Sequence, residues 1–265
     1  MEFAVNGQRA FATTGGRPID GERPAALFLH GSGLDHSVWT MPARYVAHHD
    51  GSAIAVDLPG HGRSQGRPLS SIEAMADWGW AALDALGIDE AYLIGHSMGS
   101  LIALEMAGRH PARARGLMLI GFAPTMPVHV DLLAGAAAGK QIAAELIASW
   151  GFGQAGHLGG NRAPGIAMLP LARRMLEQAL DGVLYADLKA CSDYRGADAA
   201  AQRLQCPTFL LQGERDRMTP AKAAAAFVAK LPNARARMLE GVGHMVMAEA
   251  PAAMTAALRE FIPER

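Results

Sequence analysis

The pentapeptide Gly95-His96-Ser97-Met98-Gly99 constrains this chain more than any other stretch. Before it lies the apolar run Ala91-Tyr92-Leu93-Ile94, short enough to be one buried strand. After it come residues 100–110, rich in Leu, Ala and Met, which read as a helix ended by Pro111. A serine between strand and helix, with glycine two residues before and two after, is the pattern G-x-S-x-G. The sharp turn holds the serine in a strained conformation with its hydroxyl projecting at the top of the sheet. The residues two before and two after then pass close to each other, where a Cβ on either collides. The turn also leaves unpaired N–H groups at the helix start, where negative charge is favoured.

The chain around this turn is long enough for a single α/β domain with an insertion: 265 residues, 50% of them hydrophobic. A formal net charge of −1 gives no basic field for nucleic acid and no polybasic surface for anionic lipid. Two cysteines, Cys191 and Cys206, allow one bridge but do not suggest a disulfide scaffold. The first residues lack the basic and apolar regions of a secretory signal, and no apolar run is long enough to span a bilayer. The expectation is a soluble cytoplasmic protein.

Along the chain, Phe3 to Thr13 reads as a hairpin turning at Asn6-Gly7. Ala25 to His30 is a buried strand that empties into Gly31-Ser32-Gly33, where backbone N–H groups can approach a ligand closely. Ser52 to Val56 is the next strand. The Asp57 that follows reads as a turn aspartate bonding backbone amides beside Pro59-Gly60 rather than as a catalytic carboxylate. His48, His49 and His61 read as loop or surface residues. Ile72, Met75, Ala76, Leu83 and Leu86 mark a core-facing helix closed by Gly87, with Trp78 and Trp80 as packing residues. Residues 116–121 form another buried strand. Strands and helices therefore alternate, and the strands are apolar throughout, as in a parallel sheet covered on both faces. Ligands of such sheets collect at the carboxyl ends of strands, so Ser32 and Ser97 should open onto one rim.

From about Phe122 to Arg195 the texture changes to short helices rich in Ala and Gly, broken at Gly159-Gly160-Asn161 and Ala163-Pro164-Gly165. Met126, Val128, Trp150, Phe152, Met168, Leu169 and Leu184 are scattered through it. This stretch reads as a helical insertion forming a lid over the rim. The sheet resumes at 207–211, followed by Gly213-Glu214-Arg215-Asp216. Thr219-Pro220 reads as a helix start, with Pro at the first helical position. A last strand at 235–239 exits into Gly241-Val242-Gly243-His244, and a final helix carries Met254, Ala257, Leu258 and Phe261 on one face.

Asp216 and His244 each follow a late strand, on the rim that should carry Ser97. Serine is a poor nucleophile at its free pKa, so a histidine must take its proton, and a carboxylate must hold the imidazole tautomer. With these residues in place, the chain resembles the α/β-hydrolase superfamily across essentially its full length. The matching residues are His30-Gly31-Ser32-Gly33 with Ser37 and Trp39, the run from Asp57 to Ser64, and Gly95 to Gly99. Further on they are Gly213 to Asp216 with Thr219-Pro220, and Gly243-His244 with Glu249 and Pro251. The resemblance implies an α/β-hydrolase fold: a mostly parallel eight-stranded sheet, helices on both faces, and a helical cap inserted after the sixth strand. Residues 1–121 and 206–265 would form the core, and 122–205 the cap with its return to the core.

The same resemblance implies Ser97 as nucleophile, His244 as base and Asp216 as acid, with the backbone N–H groups of Ser32 and Met98 as oxyanion hole. Glu214, two residues away, is the competing acid, and the family position favours Asp216. Candidate substrate contacts are Gly31, Phe122, Trp150, Met218 and Met245. An apolar lid suits a small to medium, uncharged ester, cleaved through an acyl-enzyme. Lactonases, carbon–carbon bond hydrolases and perhydrolases use the same triad and remain alternatives. Ser97 argues against the related epoxide hydrolases and haloalkane dehalogenases, which use an aspartate nucleophile. A ligand-sensing receptor with slow turnover is the alternative of another class. The expected partner is a small-molecule substrate, with neither nucleic acid nor membrane. No metal or organic cofactor is required, and no metal-ligand spacing is visible.

Overall fold

In the computed structural model, which describes residues 1–49, 51–139, 141–157 and 167–263, the N-terminal hairpin forms one edge of an eight-stranded sheet. Its strands are β1 (Glu2–Val5) and β2 (Gln8–Thr13). They turn through Asn6 and Gly7 at φ 50° and 77°, the two positive values that a type I′ turn requires. Next in sequence come β3 (Ala25–Leu29), β4 (Ser52–Asp57), β5 (Ala91–His96), β6 (Ala114–Ile120), β7 (Thr208–Gly213) and β8 (Ala234–Leu239). Their spatial order is β1-β2-β4-β3-β5-β6-β7-β8. Only the β1–β2 and β2–β4 pairs are antiparallel, and all others are parallel.

Parallel strands need long crossovers, and helices supply them on both faces. A short 3-10 turn at His36–Trp39 leads into α1 (Thr40–His48), followed by α2 (Ile72–Ala85) and α3 (Met98–Arg109). Between β6 and β7 lie α4 (Val130–Ala137), α5 (Gln141–Gly151), α6 (Gln154–His157), α7 (Met168–Glu177), α8 (Val183–Asp193) and α9 (Ala197–Ala201). The chain ends with α10 (Ala221–Val228), α11 (Val246–Glu249) and α12 (Pro251–Phe261).

Successive strand residues point to opposite faces, so each strand feeds two cores. Leu27 and Leu29 join Leu83 of α2, Leu101 of α3 and Phe227 of α10 on one face. Phe28, between them, joins Val46 of α1 and Leu258 and Phe261 of α12 on the other. Trp78 and Trp80 are buried, and the Trp80 Nε1–H donates to the Met106 carbonyl, so both are packing residues as expected.

The turn from β5 into α3 places Ser97 at φ 54°, ψ −120°, a region that non-glycine residues rarely occupy. A Cβ on Gly95 would lie 2.0 Å from the Gly99 carbonyl oxygen, the close approach expected from the sequence. A Cβ on Gly99 would instead meet the Leu29 carbonyl oxygen at 2.1 Å, so this glycine also seats the turn against β3.

Three local readings change. The helix after β7 starts at Ala221, with Pro220 at its N-cap and no side-chain cap. Thr219 is not a capping residue, because its hydroxyl is turned toward Asp216. His61 is a buried residue rather than a surface one. The glycine- and proline-marked breaks at 159–161 and 163–165 lie outside the described residues. Cys191 and Cys206 are both buried free thiols. Among the described residues, no helix is long and apolar enough to cross a membrane.

Backbone contact at Gly99 cannot be relieved by a rotamer change, so Gly99→Ala should cost at least about 3 kcal/mol in urea unfolding. Gly87→Ala is the control. Its φ is +70° but a Cβ there meets nothing within 4 Å, so the expected loss is about 1 kcal/mol.

Candidate active site

The loop after β7 turns Asp216 inward, where it is 6% exposed, and surrounds its carboxylate with donors. Oδ1 accepts the backbone N–H groups of Met218 at 2.9 Å and Thr219 at 2.8 Å. Oδ2 accepts the Thr219 hydroxyl at 2.6 Å and the Gln212 side-chain amide at 3.0 Å, and lies 2.8 Å from His244 Nδ1. Burial works against the ionised carboxyl. The neighbouring His244 and the hydrogen bonds from His244 and Thr219 outweigh it and hold Asp216 below its ordinary value. With Nδ1 engaged by the carboxylate, His244 presents Nε2 as its free nitrogen.

The loop carrying His244 is fixed from several sides. The N–H groups of His244 and Met245 both donate to the Gly151 carbonyl at the end of α5, at 2.9 and 3.1 Å. The Glu249 carboxyl in α11 accepts from Gly243 N–H at 3.0 Å and from Gly153 N–H at 2.8 Å. Burial pushes Glu249 above its ordinary value. His96, next to the serine, donates Nε2–H to the His244 carbonyl at 3.0 Å. Burial, and then the proximity of His244, push His96 down to about 3, so its ring is neutral.

The segment after β3 lies opposite. His30 Nδ1–H donates to the Gly31 carbonyl at 2.9 Å, and His30 Nε2 accepts from Leu58 N–H at 3.2 Å. Burial and the neighbouring His61 push His30 down to about 4, so it too is neutral. Met98 opens α3, so its N–H has no intrahelical partner. The Met98 side chain itself is buried in the core.

A cavity of about 320 Å³ collects these groups. Gly31, Ser32, His96, Ser97, Thr219 and His244 form its polar part. Met126, Val128, Leu132, Ile147, Trp150 and Phe152 are prominent in its apolar wall, and Met218 and Met245 join them. The exposed side chains of His129 and Arg217 also line it. The candidates Gly31, Trp150, Met218 and Met245 therefore reach this cavity. Phe122 does not. It is fully buried against the Phe227 ring at 5.2 Å, in the core between the sheet and α10, because its strand-end position points it below the rim. Met168, Leu169 and Leu184 also lie outside the lining.

Glu214 is not the carboxylate beside His244. It is exposed, accepts from Gly241 N–H and pairs with Arg215. Asp57, the last residue of β4, bonds backbone amides as expected, accepting from the N–H groups of His36 and Arg63, and it also holds the His36 ring at 2.8 Å. Sequence reasoning assigned nothing to Gln212, Asp187 or the buried His61. Gln212 and Asp187 lie in no quoted motif, and His61, although inside the Asp57–Ser64 run, meets its carboxyl partner 126 positions away.

A model of the Alpha/beta hydrolase family matches residues 26–258. The pimeloyl-[acyl-carrier protein] methyl ester esterase of Chromobacterium violaceum is 34% identical over 225 residues, covering 81% of this chain and 84% of that protein. The protein of the same name from Aromatoleum aromaticum is 29% identical over 252 residues, covering 84% and 91%. Among solved structures, a thermophilic esterase superposes with a TM-score of 0.81 at 25% identity, covering 98% of this chain and 95% of that one. The chain belongs to the alpha/beta hydrolase family.

The donors gathered on Asp216 favour its ionised form, so it stabilises the fold above the ordinary carboxylate range. That contribution is lost as pH falls through its lowered folded pKa. Asp216→Asn should therefore cost about 1–3 kcal/mol at pH 7 by urea unfolding. The gap from wild type should narrow as pH falls from about 4, where the unfolded chain's carboxyl begins to take up a proton, through the lowered folded value, where the native carboxyl does.

Proposed function

We propose that this alpha/beta hydrolase is a serine esterase that cleaves a small to medium, uncharged ester through an acyl-enzyme intermediate. The observation that carries this reading is the buried Asp216–His244 pair, 2.8 Å apart, whose His244 lines the same cavity as the strained Ser97. Ser97 is the nucleophile, His244 the general base and Asp216 the group that holds the imidazole tautomer and stabilises the imidazolium.

Ser97 Oγ attacks the acyl carbonyl, its proton passes to His244 Nε2, and the carbonyl π pair moves onto oxygen. The resulting oxyanion is received by the Ser32 and Met98 N–H groups, donors whose loss typically costs ~10²–10³ in rate. His244 then protonates the leaving alcohol. Water, deprotonated by His244, attacks the acyl carbon, and the intermediate collapses as Ser97 Oγ leaves and takes that proton back from His244, releasing the acid. Residues 122–205 serve as the cap with its return to the core, and supply most of the apolar wall, from Met126 to Phe152. That wall suits an uncharged acyl or alcohol group. The relatives from Chromobacterium violaceum and Aromatoleum aromaticum are named as methyl ester esterases, in keeping with a small leaving alcohol. The two free thiols suit a reducing compartment such as the cytoplasm.

A p-nitrophenyl ester series of increasing acyl length tests the reading. Release should peak at short to medium chains, with turnover in the ordinary enzyme range of ~1–10³ s⁻¹. Ser97→Ala should abolish it while leaving the unfolding transition in place. Activity retained in Ser97→Ala would remove the nucleophile assignment. Silence across the series, in a protein whose Ser97 still reacts with an organophosphonate, would redirect the reading to a lactone or a carbon–carbon bond. Tight ligand binding with almost no turnover would favour a receptor.

A further inference from the structure

The buried Asp187 of α8 has no part in the chemistry described above, yet it touches the segment that carries Ser32. Its side chain is fully buried, and its Oδ2 accepts the Gly33 N–H at 2.8 Å. The same oxygen lies 2.8 Å from His61 Nε2. The other ring nitrogen of His61 faces the Pro59 carbonyl at 3.1 Å. A carbonyl only accepts, so Nδ1 carries a proton there, and Nε2–H donates to Asp187. Burial opposes a charged His61 ring, but Asp187, by its charge and its hydrogen bond, outweighs burial and raises His61 above its ordinary value. Asp187 Oδ1 has no hydrogen-bond partner among the described residues. A half-satisfied buried carboxylate is costly, so the contact with Gly33 is held against an energetic penalty.

The location of that contact gives it meaning. Two peptide planes flank the Ser32 Cα. In the first, the Gly31 carbonyl accepts from Leu34 N–H at 3.2 Å and from His30 Nδ1–H. A trans peptide points its N–H opposite its carbonyl, so these bonds aim the Ser32 N–H. The second plane ends in Gly33 N–H, held by Asp187. With glycine on both sides of Ser32, and Gly33 at φ +67°, the local backbone supplies little stiffness of its own. The rest of α8 packs on the same segment: a Cβ on Gly33 would meet Leu184 at 2.9 Å, and Cys191 Sγ lies 3.7 Å from Ser32 Oγ. Residues 184, 187 and 191 share one helix face.

We propose that Asp187, braced by His61, is a positioning residue that fixes the second peptide plane beside Ser32 and so holds the Ser32 N–H at the site of the developing oxyanion. The proposal rests on the serine-esterase reading and extends it to a side chain contributed by the insertion. The helix that helps wall the cavity thereby also tunes the rate.

The test reads kcat and KM separately on one p-nitrophenyl ester. It also reads the inhibition constant of a trifluoromethyl ketone bearing the same acyl chain. Ser97 Oγ adds to the ketone carbon, the carbonyl π pair moves onto oxygen and the serine proton passes to His244, so the adduct needs the same amides as the reaction. Asp187→Ala should lower kcat about 10–10²-fold, less than outright loss of a donor, with KM within about twofold and ketone affinity weakened by the same factor as kcat. Asp187→Asn keeps an acceptor of the same shape and should lose only about three- to tenfold. His61→Gln leaves the Gly33 contact in place and should lose about threefold. A folded Asp187→Ala with unchanged kcat and ketone affinity, or with a change confined to KM or to Tm, would overturn the proposal. Should that variant not fold, unchanged kcat and ketone affinity in Asp187→Asn and His61→Gln would overturn it equally. A wild type that neither hydrolyses esters nor binds the ketone would sink the esterase reading itself. An active wild type with unaffected variants would sink only the positioning role.

Discussion

The backbone at Ser97 is the constraint on which the rest of the molecule depends. To hold φ 54°, ψ −120°, the turn from β5 to α3 must be over-determined by its surroundings. It is: Gly95 lies against the Gly99 carbonyl, Gly99 lies against the Leu29 carbonyl, and the Ser97 N–H donates to the Ile120 carbonyl at 2.9 Å. The strained residue is thus braced by β3 on one side and by β6 on the other. Both neighbours are parallel strands, and Leu29 and Ile120, where they meet the turn, are fully buried, so no solvent competes for the backbone bonds there. The central sheet acts as an anvil for one side chain.

From that point the site assembles by shared direction. Parallel strands end on one rim, so the segments after β3, β5, β7 and β8 all arrive at one place, and each delivers one group. A rim alone does not give alignment, because these segments are irregular. Two carboxyl groups supply part of what is missing. Glu249 of α11 bonds Gly153 N–H in the insertion and Gly243 N–H beside His244. Asp187 of the insertion bonds Gly33 N–H beside Ser32. The helices between β6 and β7 are therefore joined to the sheet domain at both flanks of the cavity, through backbone amides one residue from His244 and from Ser32. A wall fixed at those two places shapes the apolar volume and ties the Ser32 and His244 segments to the same helices.

The three buried histidines other than His244 divide by what their ring nitrogens face. His30 and His96 have weak partners and sit deep, so burial keeps them neutral, one near 4 and the other near 3. His61 is as inaccessible, but both its nitrogens face acceptors and one acceptor is a carboxylate, so it moves the other way. Partners, more than depth, decide the sign. The His61–Asp187 contact is thereby sealed behind the cavity wall while the rings of His30 and His96 stay neutral.

Much of this was legible in the residues. The alternation of apolar strands with helices determined the parallel sheet, and the glycines at 95 and 99 determined the turn, because both are local patterns with a fixed geometric consequence. Asp216 and His244 were placed near the rim in the same way, since each follows a strand that must end there, but the choice of Asp216 over Glu214 came from the family resemblance. Where the sequence was silent, the deciding contacts join residues far apart. Asp187 and His61 are separated by 126 positions, and Glu249 and Gly153 by 96, and neither residue in either pair announces the other. Phe122 stood at the right place in sequence but points into the core, and Thr219 stood where a helix cap should be but turned to Asp216. Side-chain direction and long-range pairing are set by packing. The sequence alone therefore determined which elements exist and where they end, and the tertiary structure decided which side chains meet there.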